Sequence, residues 1–209
     1  MTTNESDPEI TLGVLNVVGK NSHVTQRDVA KNIGVALGLT NTYLKRCIKK
    51  GLIKVKQVPA NRYAYYLTPR GFSEKSRLTT EFLSQGFQYF RVARTQLNEV
   101  FDTCQRRKWN NIALHGLTDV SEIAVLCAPI FEVKIVGIVD KSSSLSEHSG
   151  IPIFESIDQL GVLDAIVITD LGDHQASLKH LSDFYPGSRI FVPQILNLFE
   201  KARMGEVET

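Results

Sequence analysis

The apolar and polar positions between residues 25 and 67 form the most regular pattern in the chain. On a helical period of 3.6 residues, segment 37–49 has two unlike sides. One side is apolar or small and consists of Leu37, Thr40, Leu44, Cys47 and Ile48. The other side is largely polar or basic and consists of Gly38, Leu39, Thr42, Lys45, Arg46 and Lys49. The pattern predicts a helix that packs on one face and is basic on the other.

Local signals place a shorter helix just before this one. Thr25 and Asp28 have the spacing of a capping box, in which each side chain bonds the other residue's backbone N–H. The apolar residues Val29, Ala30 and Ile33 lie on one stripe of this helix. Gly34 follows, and glycine readily takes the left-handed conformation that ends a helix. A tight turn therefore separates the two predicted helices.

A pair of strands is predicted after the second helix. Gly51 ends the helix, and apolar residues alternate with lysines in segment 52–57. A turn at 59–62 leads to a partner strand at 63–67. Two helices and a hairpin in this order are typical of a winged helix-turn-helix, whose second helix enters the major groove of DNA. The alternative is a small scaffold whose lysines serve only solubility.

The predicted DNA contacts lie mainly on the basic face of the second helix. Thr42 and Arg46 are predicted to reach base edges, because arginine pairs with guanine and the threonine methyl meets the thymine methyl. Phosphates or the minor groove are predicted to be held by Lys45, Lys49 and Arg62. The rest of the predicted DNA-binding set is Thr25, Gln26, Gly38 and Leu39.

The segment from Thr25 to about Glu81 resembles the MarR-type winged-helix regulators, especially a subgroup associated with bacterial exopolysaccharide gene clusters. The resemblance covers about a third of the chain. Where that family commonly has Ser or Thr capping the recognition helix, this chain has Ala36. The resemblance implies a transcription regulator of polysaccharide genes. The matching stretches are residues 25–34, 44–46, 50–55, 66–71 and 74–79.

Charge divides the chain into two halves. Its 209 residues are long enough for two small cores, and the hydrophobic fraction of 43% is ordinary for a folded protein. Residues 1–108 hold 18 Lys and Arg against 8 Asp and Glu, a net +10, whereas residues 109–209 hold 6 against 14, a net −8. Because a polyanion attracts the basic half and repels the acidic one, only the first half is expected to touch DNA.

A long helix is predicted between the two halves. Thr68 caps it, Pro69 takes its first position, and an apolar series then extends to about Cys104. We expect part of this stripe to pack against a second copy of the chain, giving a homodimer. The alternative is packing only onto residues 10–18 and the second domain. The apolar series is Phe72, Leu78, Phe82, Phe90, Leu97 and Phe101.

Two further features complete the predicted domain organisation. Gly86 is expected to break or kink the long helix, and the polar, basic segment 105–110 is expected to connect the domains. The predicted divisions are a DNA-binding domain at 1–70, a dimerisation helix with linker at 71–108, and a ligand-sensing domain at 109–209.

Short apolar strands alternate with amphipathic helices from residue 111 onward, which predicts parallel βαβ units. The predicted strands are 112–115, 134–139, 164–168 and 189–192, with a weaker one at 152–154. The predicted helices are 121–128, 156–160, 175–184 and 194–202. The fold class is therefore an α+β winged helix-turn-helix followed by a small α/β Rossmann-like parallel-sheet domain, whose ligand would lie at the carboxyl ends of the strands.

The loop after the first of these strands carries a degenerate form of the glycine fingerprint. It aligns with G-x-G-x-x-G only as Gly116, Thr118 and Ser121, and Asp119 adds a negative charge where a phosphate needs a positive potential. Bound NAD is therefore disfavoured. Asp140 ends the next strand and is predicted to hold a ribose, although a helix cap or a loop ligand is an equally good reading. Lys141 and Thr169 complete the predicted cofactor-binding set.

Segments 136–141 and 150–154 resemble the Rossmann-like domains of nucleotide-sugar enzymes, and the order of domains resembles the NADH-sensing Rex-type repressors. These resemblances imply a nucleotide or nucleotide-sugar effector. Tyr185 has no lysine four residues later, so the Tyr-Lys pair of short-chain dehydrogenases is missing and no enzyme is predicted. The alternatives are a nucleotide-sugar-modifying enzyme with a DNA-binding appendage and a regulator whose second domain is a ligand-free oligomerisation module.

The sequence also bears on localisation and metals. The polar start lacks the basic and apolar regions of a signal peptide, and no apolar run approaches the ~20 residues of a membrane span. A cytoplasmic protein without membrane association is therefore expected. The isolated Cys47, Cys104 and Cys127 are expected to be reduced packing residues, and no metal site is predicted.

Overall fold

The structure is a computed structural model, and it describes residues 7–58 and 62–197. Contacts between Cα atoms divide the chain into two units, Met1–Gly86 and Phe87–Thr209. Each unit has its own hydrophobic core. The first is a helical unit with a hairpin, and the second is an α/β unit.

Three helices and a hairpin form the first unit, together with the start of a long helix. Helix α1 was not predicted; Asp7 caps it and Pro8 takes its first position. Its residues Val14, Leu15 and Val18 are buried in the core of the unit. The elements are α1 Pro8–Lys20, α2 Gln26–Ile33, α3 Leu37–Lys49, β1 Ile53–Val58, β2 Arg62–Leu67 and α4 Pro69–Arg106.

The predicted caps and stops are confirmed. Thr25 and Asp28 form the capping box at the start of α2, and Gly34 ends it with φ of 71°. At the start of α4, the backbone N–H of Gly71 donates to the Thr68 hydroxyl over 3.0 Å. Segment 59–61 of the predicted turn lies outside the described residues. These signals were readable because each depends on neighbours in sequence.

The predicted packing faces of α3 and β1 were partly wrong. Thr40, Leu44 and Cys47 are buried as expected. Leu37 and Ile48 were also predicted to be buried but are exposed, and Tyr43 is buried in the core instead. The correct face is narrower because α1 and α2 cover only the stripe centred on residues 40, 44 and 47. In β1, Ile53 is buried and Val55 is exposed, and the buried residues farther along the hairpin are Ala64 and Tyr65 of β2.

Helix α4 continues through Gly86, so the break that was one of the two predicted outcomes there does not occur. A glycine inside a helix costs only about 1 kcal/mol relative to alanine, which does not interrupt 38 hydrogen-bonded residues. The prediction that segment 105–110 separates the two domains is also wrong. Leu97, Phe101 and Cys104 are buried in the core of the α/β unit, so the last part of α4 belongs to that unit.

The second unit is built on a six-stranded sheet that is mostly parallel. Its strand order is β5-β6-β4-β3-β7-β8, and only the β5–β6 pair is antiparallel. Apart from β5, this order corresponds to the first five strands of a doubly wound sheet, with the switch point between β3 and β7. The strands are β3 Asn111–His115, β4 Lys134–Val139, β5 Glu147–His148, β6 Ile151–Phe154, β7 Ala165–Ile168 and β8 Ile190–Phe191.

The helices of this unit agree with the predictions less well than the strands do. Helix α5 is Asp119–Cys127 and α6 is His174–Ser182, close to two of the predicted helices. The helix predicted at 156–160 is a single 3-10 turn at Ile157–Gln159. The helix predicted at 194–202 begins at Ile195, and its part from residue 198 onward lies outside the described residues.

The described ranges contain neither a membrane-spanning helix nor a cluster of metal ligands. Among residues 7–58 and 62–197, no helix is long and apolar enough to span a membrane. The same residues contain no group of His, Cys, Asp and Glu suited to a metal ion. The three cysteines are free and buried, and burial raises the pKa of Cys47 and of Cys104 to about 11.

Candidate nucleic-acid interface and ligand site

The candidate DNA interface is the exposed side of α3. The side chains of Leu39, Thr42, Lys45 and Lys49 are exposed there, as is Gly38. Ala36 precedes the helix and makes no side-chain cap, so the first turn depends on tertiary packing for its stability. Thr40 is fully buried beneath that turn, and its hydroxyl donates to the Ala36 carbonyl over 3.1 Å. The opposite face remains accessible to a polyanion.

Arg46 differs from the lysines because it is only partly exposed. Its guanidinium carbon lies 5.0 Å from the centre of the Tyr43 ring, a cation–π contact that fixes the side chain. Tyr43 is itself held, since its hydroxyl accepts from the backbone N–H of Asp7 over 2.9 Å. Buried Nη1 of Arg46 has no hydrogen-bond partner within the described part of the chain. The side chain is thus held against Tyr43, and its Nη1 atom is turned away from solvent in this conformer.

Three other residues of the predicted DNA set have different surroundings. The hydroxyl of Thr25 donates to Asp28 over 2.8 Å, so it acts first as a helix cap. The side-chain amide of Gln26 donates to the Tyr65 hydroxyl over 3.2 Å. Arg62 is the first residue of β2, but its side chain lies outside the described part of the structure.

Most backbone N–H groups of the degenerate glycine loop donate hydrogen bonds within the protein. The N–H of Leu117 donates to Asp140, that of Thr118 donates to the Ser121 hydroxyl, and that of Val120 donates to the Thr118 hydroxyl. The Thr118 hydroxyl donates in turn to the Thr169 carbonyl over 2.5 Å. The N–H groups that would meet a pyrophosphate are therefore already used, and Asp119 and Glu122 add negative charge to the first turn of α5.

Gly116 is required here by a neighbouring segment of the protein. Its φ is +107°, and a Cβ at this position would lie 2.6 Å from Cα of Asp170 and 2.7 Å from its backbone nitrogen. The Thr169 hydroxyl donates to the Gly116 carbonyl over 2.6 Å, which holds the two loops together. The loop after β7 therefore packs directly against the Gly116 turn.

Asp140 lies where the ribose-binding residue was predicted, but it supports its own loop. Its carboxylate accepts from the N–H of Leu117 over 2.9 Å and from the N–H and hydroxyl of Ser142 over 2.8 and 2.6 Å. Burial acts to raise the pKa of Asp140, and the hydrogen bonds from Ser142 and the backbone outweigh it, so the pKa is lowered. The loop-ligand reading of Asp140 agrees with this geometry.

A cavity of about 380 Å³ opens beside Asp140 at the carboxyl ends of the strands. The ends of β3, β4, β6 and β7 and the last turns of α6 form its wall. Gly116, Asp140 and Lys141 of the predicted set contribute to the lining, whereas Thr118, Ser121 and Thr169 do not. The lining residues are His115, Gly116, Val139, Asp140, Lys141, Ser142, Glu155, Ser156, Ile157, Asp170, His180 and Leu181.

Sequence reasoning missed four titratable residues of this cavity, which are Glu155, His180, His115 and Asp170. His115 ends β3 and Asp170 follows β7 by two residues. Burial lowers the pKa of His115, and the nearby carboxylate of Asp170 acts in the opposite direction. The rule that parallel strands gather their carboxyl ends at one edge pointed to Asp140 and applies equally to these two residues.

Comparison with known proteins bears on the first unit. Residues 7–54 match the winged helix-turn-helix DNA-binding family. The match runs from the cap of α1 to the start of β1, so it contains the whole of α3. The hairpin β1–β2 then supplies the wing. No curated protein matches the sequence.

Solved structures similar to this chain include two bacterial proteins bound to DNA. The MepR–DNA complex of S. aureus is 26% identical over 41% of this chain and 60% of its own length, with a TM-score of 0.33. FabT of Streptococcus pneumoniae in complex with DNA is 23% identical over 57% of this chain and 68% of its own, with a TM-score of 0.33.

One similar structure extends over nearly the whole chain. Human N-acetylserotonin methyltransferase in complex with SAM is 13% identical over 92% of this chain and 81% of its own, with a TM-score of 0.35. TM-scores of 0.33 to 0.35 do not establish a common overall fold. The winged helix-turn-helix assignment therefore rests on the family match and on the helices and hairpin themselves.

Proposed function

We propose that this protein is a dimeric transcription regulator of MarR type that binds double-stranded DNA through α3. The observation that carries the proposal is the exposed basic face of α3 within the segment that matches the winged helix-turn-helix family. Lys45, Lys49 and Arg46 are presented there without an acidic side chain among residues 36–50. A basic helix face supplies the phosphate contacts that dominate affinity for DNA.

Within this proposal, Arg46 reads bases. Its stacking on Tyr43 removes part of the entropy cost of ordering a long side chain. To match guanine O6 and N7 with both arms of its fork, the guanidinium has to turn so that the buried Nη1 faces the groove. Lys45 and Lys49 are mobile point charges on the same face and suit phosphates. The polar methyl-bearing Thr42 completes the base-reading pair, although its hydroxyl already donates to the Gly38 carbonyl.

The test selects binding sequences from a random DNA library and measures affinity by fluorescence anisotropy. Replacing Arg46 by Ala should cost about 1–3 kcal/mol on the selected site and relax one position of its consensus. Lys45→Ala should weaken binding to all DNA sequences about equally and reduce the slope of log affinity against log salt concentration by about one. Arg46→Lys separates lost charge from lost geometry, and the exposed Lys134→Ala in the α/β unit is the control. Unchanged affinity and consensus in Arg46→Ala would refute the assignment.

Dimerisation is proposed to occur through α4. Five large apolar side chains of this helix are exposed, although aromatic side chains are usually buried in a monomer. A second copy that covers them would place two recognition helices on one face of the duplex, about 34 Å apart, so the selected site should be a near-palindrome. The exposed residues are Phe72, Phe82, Leu83, Phe87 and Phe90.

The α/β unit is proposed to sense a small molecule of the nucleotide or nucleotide-sugar class, and polysaccharide genes are the proposed targets. The first proposal is supported by the cavity at the carboxyl ends of the strands, where doubly wound sheets bind ligands. The second is supported by the sequence resemblance alone. A ligand that prefers one DNA-binding state should change DNA affinity by about 1–3 kcal/mol. No change with any nucleotide tested would leave a ligand-free oligomerisation module.

A further inference from the structure

The cavity in the α/β unit is charged in a way that opposes phosphate. Three carboxylates line it, Asp140, Glu155 and Asp170, and Lys141 is the only lysine or arginine among the residues described as lining it. The last turns of α6 also contribute, through His180 and Leu181, and the C-terminal end of a helix carries partial negative charge. An anionic group placed here would meet repulsion from several directions.

The alternative place for a phosphate is also closed. The N–H groups of Val120 and Ser121 in the first turn of α5 donate to the Thr118 side chain, and residues Asp119 and Glu122 of that turn are acidic. No residue of α5 is among those described as lining the cavity. A ligand in the cavity therefore gains nothing from the positive end of a helix, which is the usual source of phosphate affinity in this fold.

The cavity wall contains a carboxylate acceptor with unused capacity. Asp140 already accepts three hydrogen bonds from its own loop. Asp170 has spare capacity, since one of its oxygens accepts from Gly172 over 2.8 Å and the other has only a 3.5 Å contact with Ser177. Buried Nδ1 of His115 has no hydrogen-bond partner in another residue of the described part of the chain, and it donates or accepts according to the tautomer. Such a wall suits a ligand that donates hydrogen bonds.

We propose that the cavity binds a phosphate-free, nucleoside-sized molecule, neutral or cationic, whose hydroxyl and amino groups donate to Asp170 and Glu155. The volume of about 380 Å³ lies near the lower end of the range for small-molecule sites, which suits a nucleoside better than a dinucleotide. This inference rests on the proposed sensing function and narrows its ligand class. Phosphates on the same ligand lower its affinity.

The experiment is calorimetry on the full chain with two matched series, uridine, UMP and UDP, and adenosine, AMP and NADH. Within at least one series the nucleoside should bind tightest, and its monophosphate should bind about ten-fold more weakly, because the phosphate lies close to like charges. Asp170→Asn and Glu155→Gln remove one charge each with little change of shape. Both substitutions should weaken binding of the nucleoside and reduce the ratio between its affinity and that of the monophosphate.

The exposed Glu132→Gln, outside the cavity, is the matched control and should leave all affinities unchanged. Fluorescence of the single tryptophan, Trp109, shows that each variant is folded. Tighter binding of UMP or AMP than of the nucleoside, no binding of any of the six compounds, or an Asp170→Asn variant that binds like the wild type overturns the proposal. DNA binding is measured separately without ligand, so its absence would refute the regulator function and not the preference of the cavity.

Discussion

Replacing Gly116 by Ala tests whether this glycine serves the protein or a cofactor. In a dinucleotide fingerprint the first glycine, which Gly116 matches, serves the tight turn before the cofactor's pyrophosphate. Here a Cβ at Gly116 would collide with the backbone of Asp170, 2.6 Å away. Because backbone cannot move aside as a flexible side chain does, the substitution should destabilise the α/β unit even without any ligand.

The magnitude has two parts. A non-glycine residue at φ of +107° costs about 1–3 kcal/mol in backbone strain. Forcing a methyl group against three atoms of Asp170 adds about 1–3 kcal/mol of overpacking. The expected loss in the free energy of unfolding is therefore about 2–6 kcal/mol.

Two other glycines provide matched controls. Gly150 has φ of +78° and nothing within 4 Å of its Cβ position, so Gly150→Ala carries strain alone and should cost about 1–2 kcal/mol. Gly161 also has nothing within 4 Å and its φ is not positive, so Gly161→Ala should be neutral or stabilise by up to about 1 kcal/mol. The difference in the free energy of unfolding between Gly116→Ala and Gly150→Ala isolates the collision with Asp170.

Urea unfolding followed by Trp109 fluorescence measures these effects. The residue is the only tryptophan and belongs to the α/β unit, where the guanidinium groups of Arg107 and Arg189 lie 4.7 and 5.5 Å from its ring. Its signal therefore reports the unit that contains all three glycines. If Gly116→Ala and Gly150→Ala lose the same free energy of unfolding within about 0.5 kcal/mol, the proposed collision is wrong.

Two further predictions concern assembly and pH. Light scattering should show a dimer at micromolar concentration for the wild type and a monomer for Phe87→Ser, since Phe87 is 61% exposed on α4. Phe184→Ser, at a residue that is 63% exposed outside α4, is the control and should remain a dimer. A monomeric wild type would contradict the proposed dimer. Burial lowers the pKa of His115, so the unfolded chain binds more protons below the ordinary histidine pKa of about 6.5. The stability of the α/β unit should therefore fall as pH decreases below that value, and His115→Gln should reduce this loss of stability. Unfolding is followed by Trp109 fluorescence. If the wild type and His115→Gln lose stability equally as pH decreases, another group is responsible.

Local chemistry made the caps and strands predictable from sequence. The Thr25–Asp28 box and the stop at Gly34 involve residues no more than a few positions apart. The four buried residues of β7 form an uninterrupted apolar run, which marks a strand covered on both faces. Strand β5 has only two residues, Glu147 and His148, and carries no apolar pattern, so its pairing with β6 could not be anticipated.

The errors arose where residues far apart in sequence meet. The Gly116 loop could be compared with a fingerprint, but its contact with Asp170 depends on the loop after β7, 54 residues later. The apolar stripe of α4 was read as one surface because helical periodicity does not show where one core ends. In the structure, Leu78 belongs to the first core and Leu97 and Phe101 belong to the second.

The stripe of α4 also bears on how a ligand could influence DNA binding. Between the two buried portions of α4, Phe82, Leu83 and Phe87 are exposed, and nothing lies within 4 Å of the Cβ position of Gly86. This middle segment is held by its own backbone hydrogen bonds, and a glycine at its centre lowers helix stability by about 1 kcal/mol. Helical hydrogen bonds without buried apolar contacts contribute little stability in water. A second copy covering these side chains would therefore supply most of the order of the segment that joins the two cores. Dimerisation and any effect of a ligand on DNA affinity should then depend on the same exposed residues. The affinity of the ligand for the cavity should not depend on them.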